Sequence, residues 1–169
     1  MEVTEFKVRE IKEDEVKDVI EINRKSLPEN YSPDYFYYHL REHGDLFLVA
    51  SIEKDGKNII AGYSMGRIEF GLSNFSFSFT KKGHIISIAV LEEYRRKGIG
   101  LALMKESLDR MKKLGAKEAY LEVRVTNHPA INLYKKLNFV IVNRIVSYYS
   151  DGEDAYVMAV NFRTTTAKS

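Results

Sequence analysis

The sequence predicts an α/β (α+β) fold: a single mixed, mostly antiparallel sheet of about seven strands, with flanking helices and one central β-α-β unit. Three observations carry this. His84-Ile85-Ile86-Ser87-Ile88-Ala89-Val90 is nearly continuous apolar sequence, the pattern of a strand covered on both faces. Leu101, Met104, Leu108 and Met111 then recur at helical spacing, and Tyr120 to Val125 is strand-like again. Strand, helix and strand in that order form a crossover whose two strands run parallel. Elsewhere Lys54-Asp55-Gly56-Lys57 and Ser150-Asp151-Gly152-Glu153-Asp154 are turn sequences between strand-like runs, which predicts antiparallel hairpins.

In chain order, Phe6, Val8 and Ile11 alternate with polar residues as a short first strand. Val16, Val19 and Ile20 follow helical spacing, so residues 13–25 read as a helix with acidic residues at its N-terminus. Leu27-Pro28-Glu29-Asn30-Tyr31-Ser32-Pro33 breaks it. A second helix runs from Pro33 to about His43, with proline at an early position and Gly44 as its stop. Leu46–Ile52 and Ile59–Ile68 are the strands of the first hairpin. Residues 70–82 read as a surface excursion, in which Phe75, Phe77 and Phe79 could alternatively form a short strand. Gly115 ends the central helix, a further helix spans about Pro129 to Leu137, and two strands, about Val140–Tyr148 and Ala155–Phe162, close the chain.

Composition narrows the function classes. A chain of 169 residues with 44% hydrophobic residues is the size of one compact domain, read as 1–163 with a flexible tail at 164–169. Lys and Arg total 26 against 24 Asp and Glu, so the overall charge does not call for a nucleic-acid or acidic-membrane partner. There is no cysteine, which excludes disulfides, thiolate metal sites and an acyl-cysteine intermediate. The charged N-terminal MEVTEFKVREIKEDEV has no signal-peptide core, and no apolar run approaches the ~20 residues of a membrane span. The expectation is a cytoplasmic protein.

Leu91-Glu92-Glu93-Tyr94-Arg95-Arg96-Lys97-Gly98-Ile99-Gly100-Leu101 places cations and glycines between the buried strand and the central helix. Glycines let the backbone approach another molecule closely, and the first N–H groups of a helix point outward at its positive end, an arrangement suited to phosphate. It is not a Walker loop, and Leu103 stands where a dinucleotide fingerprint needs its third glycine. A lone Gly-x-Gly is more often a plain helix start.

The context changes that weighting. Arg95-Arg96-Lys97-Gly98-Ile99-Gly100 resembles the [Gln/Arg]-x-x-Gly-x-[Gly/Ala] pyrophosphate loop of the GNAT acetyltransferase superfamily. Asn127-His128-Pro129-Ala130-Ile131-Asn132-Leu133-Tyr134 resembles its Asn-x-x-Ala-x-x-x-Tyr element, and Leu137-Asn138-Phe139 its Leu-Gly-Phe. With Leu27-Pro28-Glu29-Asn30-Tyr31, the strand 84–90 and Tyr148–Tyr156, the chain resembles from about residue 6 to 162 the NatA-type catalytic subunits of protein N-terminal acetyltransferases, particularly archaeal members acting without an auxiliary subunit. Glu122 and the longer 70–82 segment depart from the eukaryotic pattern.

The resemblance implies the GNAT fold and acetyl-CoA as co-substrate, lying between diverging strands 84–90 and 119–125. Backbone groups of Ile88, Ala89 and Val90 hold its pantetheine arm and acetyl carbonyl. The N–H groups from Arg96 through Gly98, Ile99, Gly100 and Leu101 hold its pyrophosphate, with charge added by Arg95, Arg96 and Lys97. Asn127 is either a cofactor partner or a helix cap. Glu122 and His84 are the expected proton acceptors for the substrate ammonium, and Tyr134 the expected acid near the departing sulfur. Leu27, Glu29, Tyr31 and Tyr149 frame the entering peptide. His84 with Glu122 supplies two ligands, too few for a dedicated metal site.

The implied substrate is a protein or nascent-chain N-terminus, with a place near the ribosome and no obligatory auxiliary subunit, nucleic acid or membrane. Competing expectations are acetylation of lysine or a small amine, a non-catalytic CoA-binding module, and a basic-patch RNA binder.

Overall fold

In the computed structural model, which describes residues 5–165, the strands form one sheet in the order β1-β2-β3-β4-β5-β7-β6. They are β1 (Lys7–Glu10), β2 (Phe47–Lys54), β3 (Lys57–Leu72), β4 (Phe79–Val90), β5 (Glu118–Arg124), β6 (Val140–Ile145) and β7 (Ala155–Asn161). Helices α1 (Val16–Ser26) and α2 (Pro33–His43) follow β1, α3 (Ile99–Lys113) joins β4 to β5, α4 (His128–Lys136) joins β5 to β6, and the short α5 (Phe162–Thr165) follows β7. The pair β4/β5 is parallel, whereas β1/β2, β2/β3, β5/β7 and β6/β7 are antiparallel. This is the mixed, mostly antiparallel sheet with a β-α-β unit expected from the sequence, and β4 stands at its middle.

The chain divides into two compact units, Met1–Arg67 with Ile86–Arg110, and Ile68–Ile85 with Met111–Ser169. In the first, Val16, Val19 and Ile22 of α1 and Phe36 of α2 pack with Phe47, Val49, Tyr63 and Met65. The three-residue spacing of the α1 residues puts one helix stripe on one sheet face. The opposite face packs Leu48, Ala50 and Ala61 with Ile99 and Leu103 of α3, so β2 is covered on both sides. In the second unit Leu121, Val123, Val157, Met158 and Val160 are buried. Among the described residues no helix is long and apolar enough to cross a membrane.

Several boundaries differ from expectation for physical reasons. The 70–82 segment is not an excursion: β3 continues to Leu72 and β4 begins at Phe79, leaving only 73–78 as a turn. The rings of Phe70 and Phe79 stack at 6.1 Å, and the buried Glu118 carboxylate accepts the Ser73 hydroxyl and the Asn74 N–H, each at 2.6 Å. Phe75 and Phe77 lie in that turn and form no strand. The strand expected to reach Tyr148 stops at Ile145, near Ser147 at φ 53°. Of the expected tail, Thr164 lies in α5, whose last residue is Thr165, and 166–169 fall outside the described residues. The Asp-Gly turn is as expected, with Asp55 at φ 54° and Gly56 at φ 75°.

Near its middle the β2/β3 register shifts between Ala50 and Ser51, whose partners are Gly62 and Ile60. Ala61 is thereby the extra residue of a bulge, and its carbonyl accepts the Leu91 N–H at 2.8 Å, just past the end of β4. Beside it a Cβ on Gly62 would lie 2.9 Å from the Ala89 carbonyl oxygen and 3.3 Å from Val90 Cα. Only glycine permits this approach to backbone. Gly62→Ala is therefore expected to cost about 1–3 kcal/mol of stability in a denaturant titration and to raise KM for a ligand held along Ile88–Val90.

Candidate active site

The parallel register of β4 and β5 pairs Lys82 with Glu118, Gly83 with Ala119 and His84 with Tyr120, and ends there although both strands continue. Alternation along β5 sends Tyr120 and Glu122 to one face, the face of the His84 ring. The His84 and Tyr120 rings stack at 4.1 Å and 14°. His84 Nε2 lies 2.8 and 2.9 Å from the two carboxylate oxygens of Glu122, so the expected proton-accepting pair is brought together. Both side chains are mostly covered yet reachable, at 12% and 16% exposure.

A residue not anticipated completes the group. Glu69 of β3 places Oε2 2.9 Å from His84 Nδ1, and its Oε1 accepts the Tyr120 hydroxyl at 2.5 Å. Lys82 Nζ lies 4.4 Å from the Tyr120 ring centroid and donates to the Leu72 carbonyl at 2.8 Å. The carboxylates of Glu69 and Glu122 address opposite ring nitrogens and do not converge on one point. Among the described residues no group of three or more His, Cys, Asp or Glu side chains is arranged to hold a metal ion.

The glycine loop has a backbone of the kind that an anion cradle needs. Arg96 at φ 63° and Gly98 at φ 83° are both left-handed, a curled backbone whose N–H groups can face one anion, and α3 begins at Ile99. Open space surrounds Gly98 where a Cβ would stand, so backbone conformation and not crowding calls for glycine. Arg95 is folded back: its Nε donates to the Val90 carbonyl at 2.9 Å, tying the loop to the end of β4. Arg96, Lys97 and Gly98 are exposed, Gly100 and Leu101 are half-buried and Ile99 is buried. Along β4, Ile88 and Val90 are half-buried and Ala89 is buried.

Asn127 caps α4, its side-chain oxygen accepting the Ala130 N–H at 3.3 Å. The helix ends at Lys136, and just past its C-cap Leu137 the φ of 70° at Asn138 explains how asparagine stands where the resembled motif has glycine. Tyr134 of α4 is buried near the Phe139 ring, and burial pushes its phenol up to about 12. A phenol held that tightly keeps its proton at neutral pH and can donate a hydrogen bond.

The residues expected at the peptide entrance are tied to the framework. Asn23 Nδ2 donates to the Glu29 carbonyl at 3.2 Å, and the Tyr31 hydroxyl donates to the Ile86 carbonyl of β4 at 3.4 Å. Leu27 is half-buried against the core of the first unit. In the second unit the Arg124 guanidinium lies 4.1 Å from the Tyr149 ring centroid and pairs with Asp151 and Glu153, each at 2.9 Å.

Residues 16–139 match the Acetyltransferase (GNAT) family. The chain is 51% identical to an N-alpha-acetyltransferase of Saccharolobus solfataricus, over 92% of each chain. Its structure is similar to that of Ard1 from Thermoplasma volcanium, with a TM-score of 0.79 and 31% identity over 92% of this chain and 97% of that one. It is also similar to a chain of the NatC complex bound to Gag peptide and CoA, with a TM-score of 0.85 and 25% identity over 93% and 98%.

Burial raises the Tyr63 phenol as it does that of Tyr134. The folded state therefore holds these protons more tightly than the unfolded state. Both contributions are complete below about pH 10 and are lost at higher pH, that of Tyr134 as pH rises towards 12. Denaturant titrations across that range should show falling stability, and Tyr134→Phe should reduce the fall by up to about 3 kcal/mol.

Proposed function

The chain belongs to the acetyltransferase (GNAT) family, and on that premise we propose that it transfers the acetyl group of acetyl-CoA to the free α-amino group of protein and peptide N-termini. The observation that carries this reading is the 51% identity, over 92% of the chain, to an N-alpha-acetyltransferase. Chemistry agrees with a modest base: an α-amine has a pKa near ~8 and a lysine amine near ~10.4, so the former needs far less help to lose its proton.

Residues 1–163 act as one acetyltransferase domain in this reading, supported by a family match that runs through both compact units. Backbone groups of Ile88, Ala89 and Val90 hold the pantetheine arm and acetyl carbonyl. The N–H groups of Arg96, Lys97, Gly98, Ile99, Gly100 and Leu101 hold the pyrophosphate, with Arg96 and Lys97 adding charge; the left-handed loop supports this. Arg95 fastens the loop, and Asn127 starts the helix that carries Tyr134.

The substrate ammonium gives a proton to the Glu122–His84 pair, and the neutral amine attacks the thioester carbonyl carbon within a ternary complex. The C–N bond forms and the C–S bond breaks. The proton that nitrogen releases as the amide forms passes to the departing thiolate, to which Tyr134 donates a hydrogen bond. With no cysteine in the chain, direct transfer requires no acyl-thiol intermediate. Leu27, Glu29, Tyr31 and Tyr149 frame the peptide, and Glu29 disfavours acidic first residues by like-charge repulsion. The protein acts in the cytoplasm on nascent chains near the ribosome, without an obligatory auxiliary subunit and without a nucleic-acid or membrane partner; the resemblance to archaeal members supports this.

The purified chain alone, supplied with acetyl-CoA and peptides differing in their first two residues, is expected to release CoA thiol with free N-termini and not with blocked ones. Failure with every free N-terminus overturns the proposed activity. Glu122→Gln should lower kcat about 100-fold and Tyr134→Phe only a few-fold. Equal rates for wild type and Glu122→Gln would remove Glu122 as the base.

A further inference from the structure

We infer that Glu69 is a positioning residue for the proton-accepting pair: it keeps a proton on His84 Nδ1 and so leaves Nε2 as the nitrogen that exchanges protons beside Glu122. The consequence for turnover rests on the proposed acetyl transfer. The geometry does not.

Both ring nitrogens of His84 face carboxylates, Nδ1 at 2.9 Å from Glu69 and Nε2 at 2.8 Å from Glu122. An ionised carboxylate accepts hydrogen bonds and has no proton to give, so the proton of such a contact is the ring's. To accept a proton from substrate the ring needs one nitrogen without a proton, and only the choice of nitrogen is open. Release from Nδ1 would leave its lone pair facing the Glu69 carboxylate and would close Nε2 to further protonation. A neutral ring that keeps its proton on Nδ1 has its Nε2 lone pair beside the Glu122 carboxylate, and the two together receive the ammonium proton.

Tyr120 favours the second outcome. Its hydroxyl donates to Glu69 at 2.5 Å while its ring stacks on His84, so Glu69 is oriented as an acceptor and the imidazole plane is fixed. The groups facing the ring are thus Glu69 from β3, Tyr120 and Glu122 from β5, and Lys82 of β4 over the Tyr120 ring. A carboxylate that selects a histidine tautomer serves the same purpose in the Ser-His-Asp triad, although no nucleophilic hydroxyl is part of this group.

NMR of the full chain with ring-¹⁵N histidine reads the state of each nitrogen directly, the His84 signals being those lost in His84→Gln. Wild type is expected to carry a proton on Nδ1. In Glu69→Ala the neutral ring should move its proton to Nε2, towards Glu122. Glu69→Gln, whose side-chain oxygen still accepts, should retain the Nδ1 proton. With peptide substrate, kcat should fall about 10–100-fold in Glu69→Ala and recover in part in Glu69→Gln, with KM for acetyl-CoA unchanged.

A wild-type Nδ1 without a proton overturns the inference, and that spectrum decides even where Glu69→Ala does not fold. A Glu69→Ala protein with wild-type ring state and kcat overturns it as well. If wild type acetylates no N-terminus, the proposed activity fails, while the ring state still tests Glu69.

Discussion

The three-pair parallel register of β4 and β5 is the constraint on which the rest depends. Because His84 stands opposite Tyr120, alternation puts Glu122 on the face where the imidazole can reach it. The same strand then continues through Ile88, Ala89 and Val90 to the glycine loop and the start of α3. A slip of one residue would turn Glu122 to the opposite face and break the pair. The Gly62 approach and the Ala61 bulge secure the end of that strand from the other side.

In the proposed reaction the charges of the site match the difficulty of the proton transfer. An α-amine near pKa ~8 is partly neutral at physiological pH, so the proton acceptor needs position more than unusual basicity. The Glu69–His84–Glu122 group supplies position through three directed contacts and one stacked ring. In the proposed transfer the departing thiolate needs only a hydrogen bond, and a buried phenol pushed up to about 12 keeps the proton with which to donate one.

Much of this was legible in the residues. Continuous apolar sequence marked β4 as the central strand, proline and glycine bounded α2, and the loop and the Asn127–Tyr134 element carried the family resemblance. Glu69 was not legible. It lies where β3 runs beyond its expected end at Ile68, and the usual inside-outside rule is inverted there: Phe70 and Leu72 are exposed while Glu69 turns towards His84. The alternation Ile68, Phe70, Leu72 was a signal for a longer strand, but the choice of face depended on His84 and Tyr120, distant in sequence. Likewise the Glu118 clamp on the 73–78 turn joins residues 45 apart, and no local pattern announces it.

A single peptide carrying both a free α-amine and an internal lysine sets the two possible acceptors in direct competition. After brief incubation with the purified chain and acetyl-CoA, mass spectrometry should place the acetyl group on the N-terminal residue. Acetyl on the lysine with the α-amine left free would contradict the assignment of this site to N-terminal acetylation.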